Sequence, residues 1–89
     1  MTMPESSKLP RAIANYVRQF GSLVSNGPIS YWFLEGPSIR FRLYNDGTLR
    51  IFRRLMYVDR LIAEAKQKDW EKDEWSVFYA SDWKEMSNS

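Results

Sequence analysis

Eighty-nine residues suffice for one small domain, and a hydrophobic fraction of 44% with 16% aromatics can supply its core. Without cysteine there are no disulfides or thiolate metal sites, and without histidine the usual general base and commonest metal ligand are missing. The net charge of +2 is uneven: nine Lys/Arg stand against four Asp/Glu in residues 1–60, and four against seven in residues 61–89. Every arginine lies in the first of these stretches. Such asymmetry marks either separate partner surfaces or an acidic C-terminal part that packs beside the basic region and partly neutralises it.

Residues 1–7 read as a flexible N-terminus, 8–86 as a single α+β domain and 87–89 as a flexible C-terminus. The first residues lack the basic start and apolar stretch of a signal peptide. No apolar run approaches the roughly 18 residues of a membrane span. The expectation is a cytoplasmic protein without a membrane partner, in the host cytoplasm if phage-encoded.

Ser7 can cap a first helix, with Pro10 tolerated in its first turn. Ile13, Tyr16, Val17, Phe20, Leu23 and Val24 then recur at helical spacing until Asn26-Gly27-Pro28. Gly21 inside this run points to close packing against another element. The β-rich segment Ile29 to Glu35, closed by Gly36-Pro37, reads as a strand. Its two faces are both apolar, with Ile29, Tyr31 and Phe33 on one and Trp32 and Leu34 on the other. That pattern suits a central strand or an exposed aromatic patch.

The run from Ser38 to Leu55 is a β-hairpin around Asn45-Asp46-Gly47. A two-residue loop would mix arginine with aliphatics on both faces. A three-residue loop with Gly47 in a G1 bulge pairs Tyr44 with Thr48 instead. Ile39, Phe41, Leu43, Leu49 and Ile51 then share one face, leaving Arg40, Arg42, Tyr44, Arg50, Phe52 and Arg54 on the other. The bulged turn is therefore expected. After the hairpin, Asp59 can cap a second helix reaching about Lys72, with Leu61, Ile62 and Ala65 as its apolar stripe. Residues 75–80 fit both helical spacing and strand alternation. Aromatic and β-branched enrichment favours a short strand.

The economical assembly is a small α+β domain of order α-β-β-β-α(-β). It has a three-stranded antiparallel sheet, room for a fourth short strand near 75–80, and N-terminal and C-terminal helices packed on one face.

Chemistry-bearing motifs are sparse. Asp69, Glu71, Asp73, Glu74 and Asp82 supply carboxylates, but their interleaving with lysines suits a solvated helix end, and they lack the ligand alternation and glycine of a calcium loop. The glycine turns carry no phosphate-binding pattern. No enzyme, cofactor or metal site is expected. The hairpin face of Arg40, Arg42, Tyr44, Arg50, Phe52 and Arg54 is the candidate binding surface. Forked guanidiniums and aromatic rings suit a larger protein partner, as for a small regulatory or adaptor protein of the kind phage and mobile elements encode. They also suit single-stranded nucleic acid, where basic grooves track phosphates and rings stack bases. A free sheet edge gives a further route, to a homodimer. Against all of these stand two structural readings: the second helix covers this face, with Glu64 or Asp69 pairing its arginines, or the arginines simply protect an exposed sheet. Trp70 and Trp83, in charged surroundings, read as partly exposed.

Overall fold

The computed structural model describes residues 9–87, with side chains through Lys84. Leu9 begins the described chain without a side-chain cap, and Pro10 stands where its missing N–H costs least, at the start of α1 (Pro10–Phe20). Ile13, Ala14 and Val17 are the buried stripe of α1, while Tyr16 and Phe20 stack on each other outside, ring centroids 4.8 Å apart. Next come β1 (Ser22–Asn26), β2 (Ile29–Glu35), β3 (Ile39–Tyr44), β4 (Leu49–Arg54) and β5 (Asp59–Ala65). The chain closes with α2 (Gln67–Trp70), β6 (Val77–Phe78) and α3 (Ala80–Ser87).

Among the described residues the strands form one antiparallel sheet of six in the order β1-β2-β3-β4-β5-β6, each beside its neighbour in sequence. This overturns the three-stranded expectation in two places. The first is the end of the first helix, which stops at Phe20 because residues 22–26 have a better partner. Ser22 pairs with Phe33 and Asn26 with Ile29, around a tight turn where Gly27 takes φ +64°. Leu23 and Val24 satisfy helical spacing only by coincidence, and the ladder overrides it. The second is residues 59–65, read as helix but forming β5. The register with β4 shifts between Ile51 and Phe52, so that Ile62 is an extra residue between Leu61 and Ala63. A bulge of this kind breaks the two-residue period and imitates a helical stripe. Of the helix read to Lys72, only the four residues of α2 remain helical.

The β3–β4 hairpin has the expected register. Leu43 faces Leu49 and Phe41 faces Ile51, while Tyr44 N–H donates to Thr48 O at 2.9 Å. Gly47 has φ +90°, and its N–H donates to Tyr44 O at 2.9 Å. Short strand structure within 75–80 is present as β6. Of the stretches read as flexible, residues 1–7 and 87–89, the first and residues 88–89 lie outside the described residues, as does the Ser7 cap, while Ser87 belongs to α3.

The core lies on the aliphatic side of the sheet. Leu43, Leu49, Ile51, Ile62, Ala63 and Ala65 meet Ile13, Ala14 and Val17 of α1, together with Trp70 and Trp83. Full burial of a Leu or Ile side chain stabilises by about 2 kcal/mol, so this cluster dominates the fold. Trp70 and Trp83 are 7% and 2% exposed, contrary to their reading as surface anchors. Their charged sequence neighbours turn outward while the indoles turn in. The Trp70 Nε1–H donates to Gly47 O at 2.6 Å. Trp83 packs with Phe78 and Trp75 at centroid distances of 5.3 and 6.0 Å.

Gly21 makes the sharp passage from helix to strand. Its N–H donates to Val17 O at 2.7 Å, and a Cβ there would run into Val17 O and lie 2.8 Å from Phe33 O, both rigid backbone. Gly21→Ala should therefore destabilise by about 1–3 kcal/mol through overpacking. Urea unfolding followed by circular dichroism will show a lowered midpoint with unchanged slope.

Candidate binding face

Alternation carries Arg40, Arg42, Arg50 and Arg54 to the side of the sheet away from α1, while Arg53 faces Ile39 on the aliphatic side. The antiparallel register then brings partners beside them from both flanking strands. On β2, Tyr31 faces Tyr44, Phe33 faces Arg42 and Glu35 faces Arg40. On β5, Glu64 faces Arg50 and Asp59 faces Arg54. The core cluster of buried residues gathers on the aliphatic side, leaving this face partly exposed. All six residues singled out from sequence, Arg40, Arg42, Tyr44, Arg50, Phe52 and Arg54, share it. The sequence reading did not connect Tyr31, Phe33 and Glu35 to them, although the alternation of β2 together with an antiparallel register would have done so. Asp59 was hidden by the helix assignment of β5, whereas Glu64, expected to pair these arginines from a covering helix, does so from the adjoining strand.

Most of the arginine charge is met locally. Arg40 donates to Asp59 Oδ2 and to Glu35 Oε1, each at 2.6 Å. Arg54 lies 3.2 Å from Glu35 Oε1 and donates to Gly36 O at 3.1 Å. Arg50 Nε donates to Glu64 Oε1 at 2.7 Å, and its guanidinium stands 5.1 Å from the Tyr44 ring centre. Arg42 differs. It faces Arg50 directly across the ladder, an arrangement that repels unless each charge finds another environment. Arg50 turns to Glu64, while Arg42 lies between Tyr31 and Phe52, at 5.2 and 5.4 Å from their ring centres, and donates to the Tyr44 hydroxyl at 3.3 Å. Among the four arginines of this face, Arg42 is the one without a carboxylate partner among the described residues. Cation–π contact with two rings holds it in place. Beside it, Val24, Tyr31, Phe33, Glu35, Arg40 and Arg42 line a shallow open cleft of about 220 Å³.

These contacts shift the ionisable groups. The hydrogen bond from Arg40 holds the Glu35 carboxyl below its ordinary range; partial burial opposes this, and the charges of Arg40, Arg54 and Arg42 reinforce it. The hydrogen bond to Glu35 in turn raises the Arg40 guanidinium, and the one to Glu64 raises that of Arg50. At the hairpin turn, the Thr48 N–H donates to Asp46 Oδ1 at 2.8 Å and lowers that carboxyl.

Four of the five acidic residues considered for catalysis or metal binding, Asp69, Glu71, Asp73 and Asp82, have structural partners. Ser76 Oγ donates to Asp69 Oδ2 at 2.6 Å and accepts the Lys66 N–H at 2.9 Å, which pins the loop after α2. Arg11 pairs with Asp73 at 3.4 Å and Arg60 with Asp82 at 3.1 Å. Gln67 donates to Glu71 at 2.8 Å. Among the described residues no three acidic side chains gather as a metal site, and no helix is long and apolar enough to cross a membrane.

Comparison with protein-family models, with curated proteins and with solved structures finds no match. The functional reading therefore rests on this geometry.

A carboxyl whose folded pKa lies below its ordinary value of 4.5 adds stability that is complete above that pH and is lost as the pH falls through the lowered value. Glu35→Gln should thus lower the melting temperature near neutral pH, and its deficit against wild type should close under strongly acidic conditions. Thermal melts across the acid range will read this, and a gap that persists at the acid end would reject the ion-pair assignment.

Proposed function

We propose that this chain is a small non-enzymatic binding protein that docks the open face of its sheet on a larger protein partner, as a regulator or adaptor. The observation carrying this reading is Arg42, held between Tyr31 and Phe52 beside a shallow cleft and, among the described residues, without a carboxylate in ion-pair contact. Arginine and tyrosine in a partly desolvated setting are the residue types that dominate protein interfaces. A carboxylate brought by the partner would complete the one arginine of the face that has no ion pair among the described residues.

Single-stranded nucleic acid is the second reading, favoured by the same rings and guanidiniums. It is weakened by Glu35, Asp59 and Glu64, which stand among the arginines and would repel a phosphate chain. The acids leave one cationic position, where a polyanion needs a continuous track.

The test compares affinity capture by wild type, by Arg42→Glu and by Arg18→Glu, a control on the outer side of α1. Wild type and Arg18→Glu should capture the same protein, and Arg42→Glu should lose it by at least about tenfold while keeping the wild-type circular dichroism spectrum. Retention by Arg42→Glu would remove this face as the interface. Fluorescence anisotropy with mixed-sequence oligonucleotides at low salt should show no binding. A complex that weakens steeply with added salt would establish the second reading instead.

A further inference from the structure

We propose that β1 pairs antiparallel with β1 of a second copy of this chain, forming a reversible twofold dimer with one continuous sheet. Among the described residues β1 ends the sheet and is paired on one side only. The direction of its free backbone groups follows from the neighbouring ladder. Ser30 O accepts the Asn45 N–H at 2.9 Å, so the Ser30 backbone faces β3. By alternation the backbones of Ile29, Tyr31 and Phe33 face β1, where they meet Asn26, Val24 and Ser22. The N–H and C=O groups of Leu23 and Ser25 are thereby left on the open edge.

These two residues flank Val24 symmetrically. A twofold axis through Val24 sets Leu23 of each copy opposite Ser25 of the other, satisfying the free groups of both strands. The segment Ser22-Leu23-Val24-Ser25-Asn26 carries no charge and no proline, and its register with β2 is uninterrupted. The devices that ordinarily blunt an edge are therefore missing, and self-pairing meets no like-charge repulsion within the strand. By contrast β6, at the other end of the sheet, is only two residues long and runs into α3.

Apolar surface accompanies the edge. Leu23 is 59% exposed on the helix side of the sheet, and Phe20, just before the strand, is 57% exposed. The two Leu23 side chains become diagonal neighbours across the axis. On the opposite side, Val24 lines the cleft beside Arg42 and meets its own copy, so pairing joins the clefts of two six-stranded sheets on one surface. Pairing of one five-residue strand with its copy is a small contact beside the roughly 1,200 Å² of typical stable complexes, so the association is weak and concentration-dependent. This inference is independent of the partner reading, because the edge groups point away from the open face and have no ladder partner among the described residues.

Sedimentation should show a weight-average mass rising from 10.6 kDa toward twice that value with concentration, and Leu23→Lys should remain monomeric. Wild type gives a second readout that needs no variant: amide exchange at Leu23 and Ser25 should slow as concentration rises. Facing Val24 residues form a non-hydrogen-bonded pair with Cα atoms about 4.5 Å apart, within disulfide reach. The chain has no cysteine, so Val24→Cys introduces a single thiol. With oxidised glutathione as oxidant, Val24→Cys should crosslink at least about tenfold faster than Tyr57→Cys, whose position is 93% exposed in the β4–β5 turn. A constant mass of 10.6 kDa, concentration-independent exchange at both amides, or equal crosslinking of the two thiols would overturn the dimer.

Discussion

The separation of arginine from aliphatic side chains depends on one three-residue turn. Asn45-Asp46-Gly47 sets β4 against β3 so that Leu43 meets Leu49 and Arg42 meets Arg50. A slip of one residue would carry one strand's arginines to the core side and its aliphatics to the open face. Two hydrogen bonds hold the turn, from Gly47 N–H to Tyr44 O and from Thr48 N–H to the Asp46 carboxylate. The positive φ of Gly47 gives the bulge its conformation at little steric cost. The same glycine also receives the Trp70 indole N–H on its carbonyl, and Gln67 fills the space where a side chain at position 47 would stand. One turn thus determines the hairpin register and provides the dock for the C-terminal part.

The ion pairs of the open face act mainly by distribution. Ion pairs this exposed contribute little net stability, because solvent screens them and ordering long side chains costs entropy. Their effect is to orient side chains, since Glu35 gathers Arg40 and Arg54 while Glu64 draws Arg50 away from Arg42. Arg42 then relies on Tyr31 and Phe52. The charge imbalance along the chain is reduced in space from both stretches. Glu35 and Asp59, which belong to the basic one, meet the hairpin arginines, while from the acidic one Glu64 pairs Arg50, Asp73 pairs Arg11 and Asp82 pairs Arg60.

Legibility varied with how local the determining interactions are. The hairpin could be read because its turn chemistry and its alternation agree within a few residues. Gly21 was legible as a point of close approach, although its neighbour proved to be the backbone of Phe33. β1 and β5 were not legible as strands, because each owes its form to a ladder with another segment. Leu23 and Val24 extend the helical pattern of α1, and the extra residue at Ile62 gives β5 a helix-like spacing. Trp70 and Trp83 were misplaced for a related reason. Local charge density describes their neighbours, whereas the indoles respond to an aliphatic face assembled from distant strands. The six site residues were recovered as a group, but the acids and rings beside them depended on the two strands whose contribution was incompletely read.

The neighbour-by-neighbour order of the sheet has a kinetic meaning. Each strand finds its partner after only a short loop closure, so the entropy lost before the first stabilising contacts is small, and such local topologies fold fast for β-rich proteins. Hairpins can form in succession as the chain lengthens. The aliphatic face, however, is completed only when Trp70 and Trp83 arrive from the last third of the chain. Strands β1 to β5 thus precede in the chain the two indoles that complete their aliphatic face, and during synthesis that face stays open until Trp70 and Trp83 have emerged.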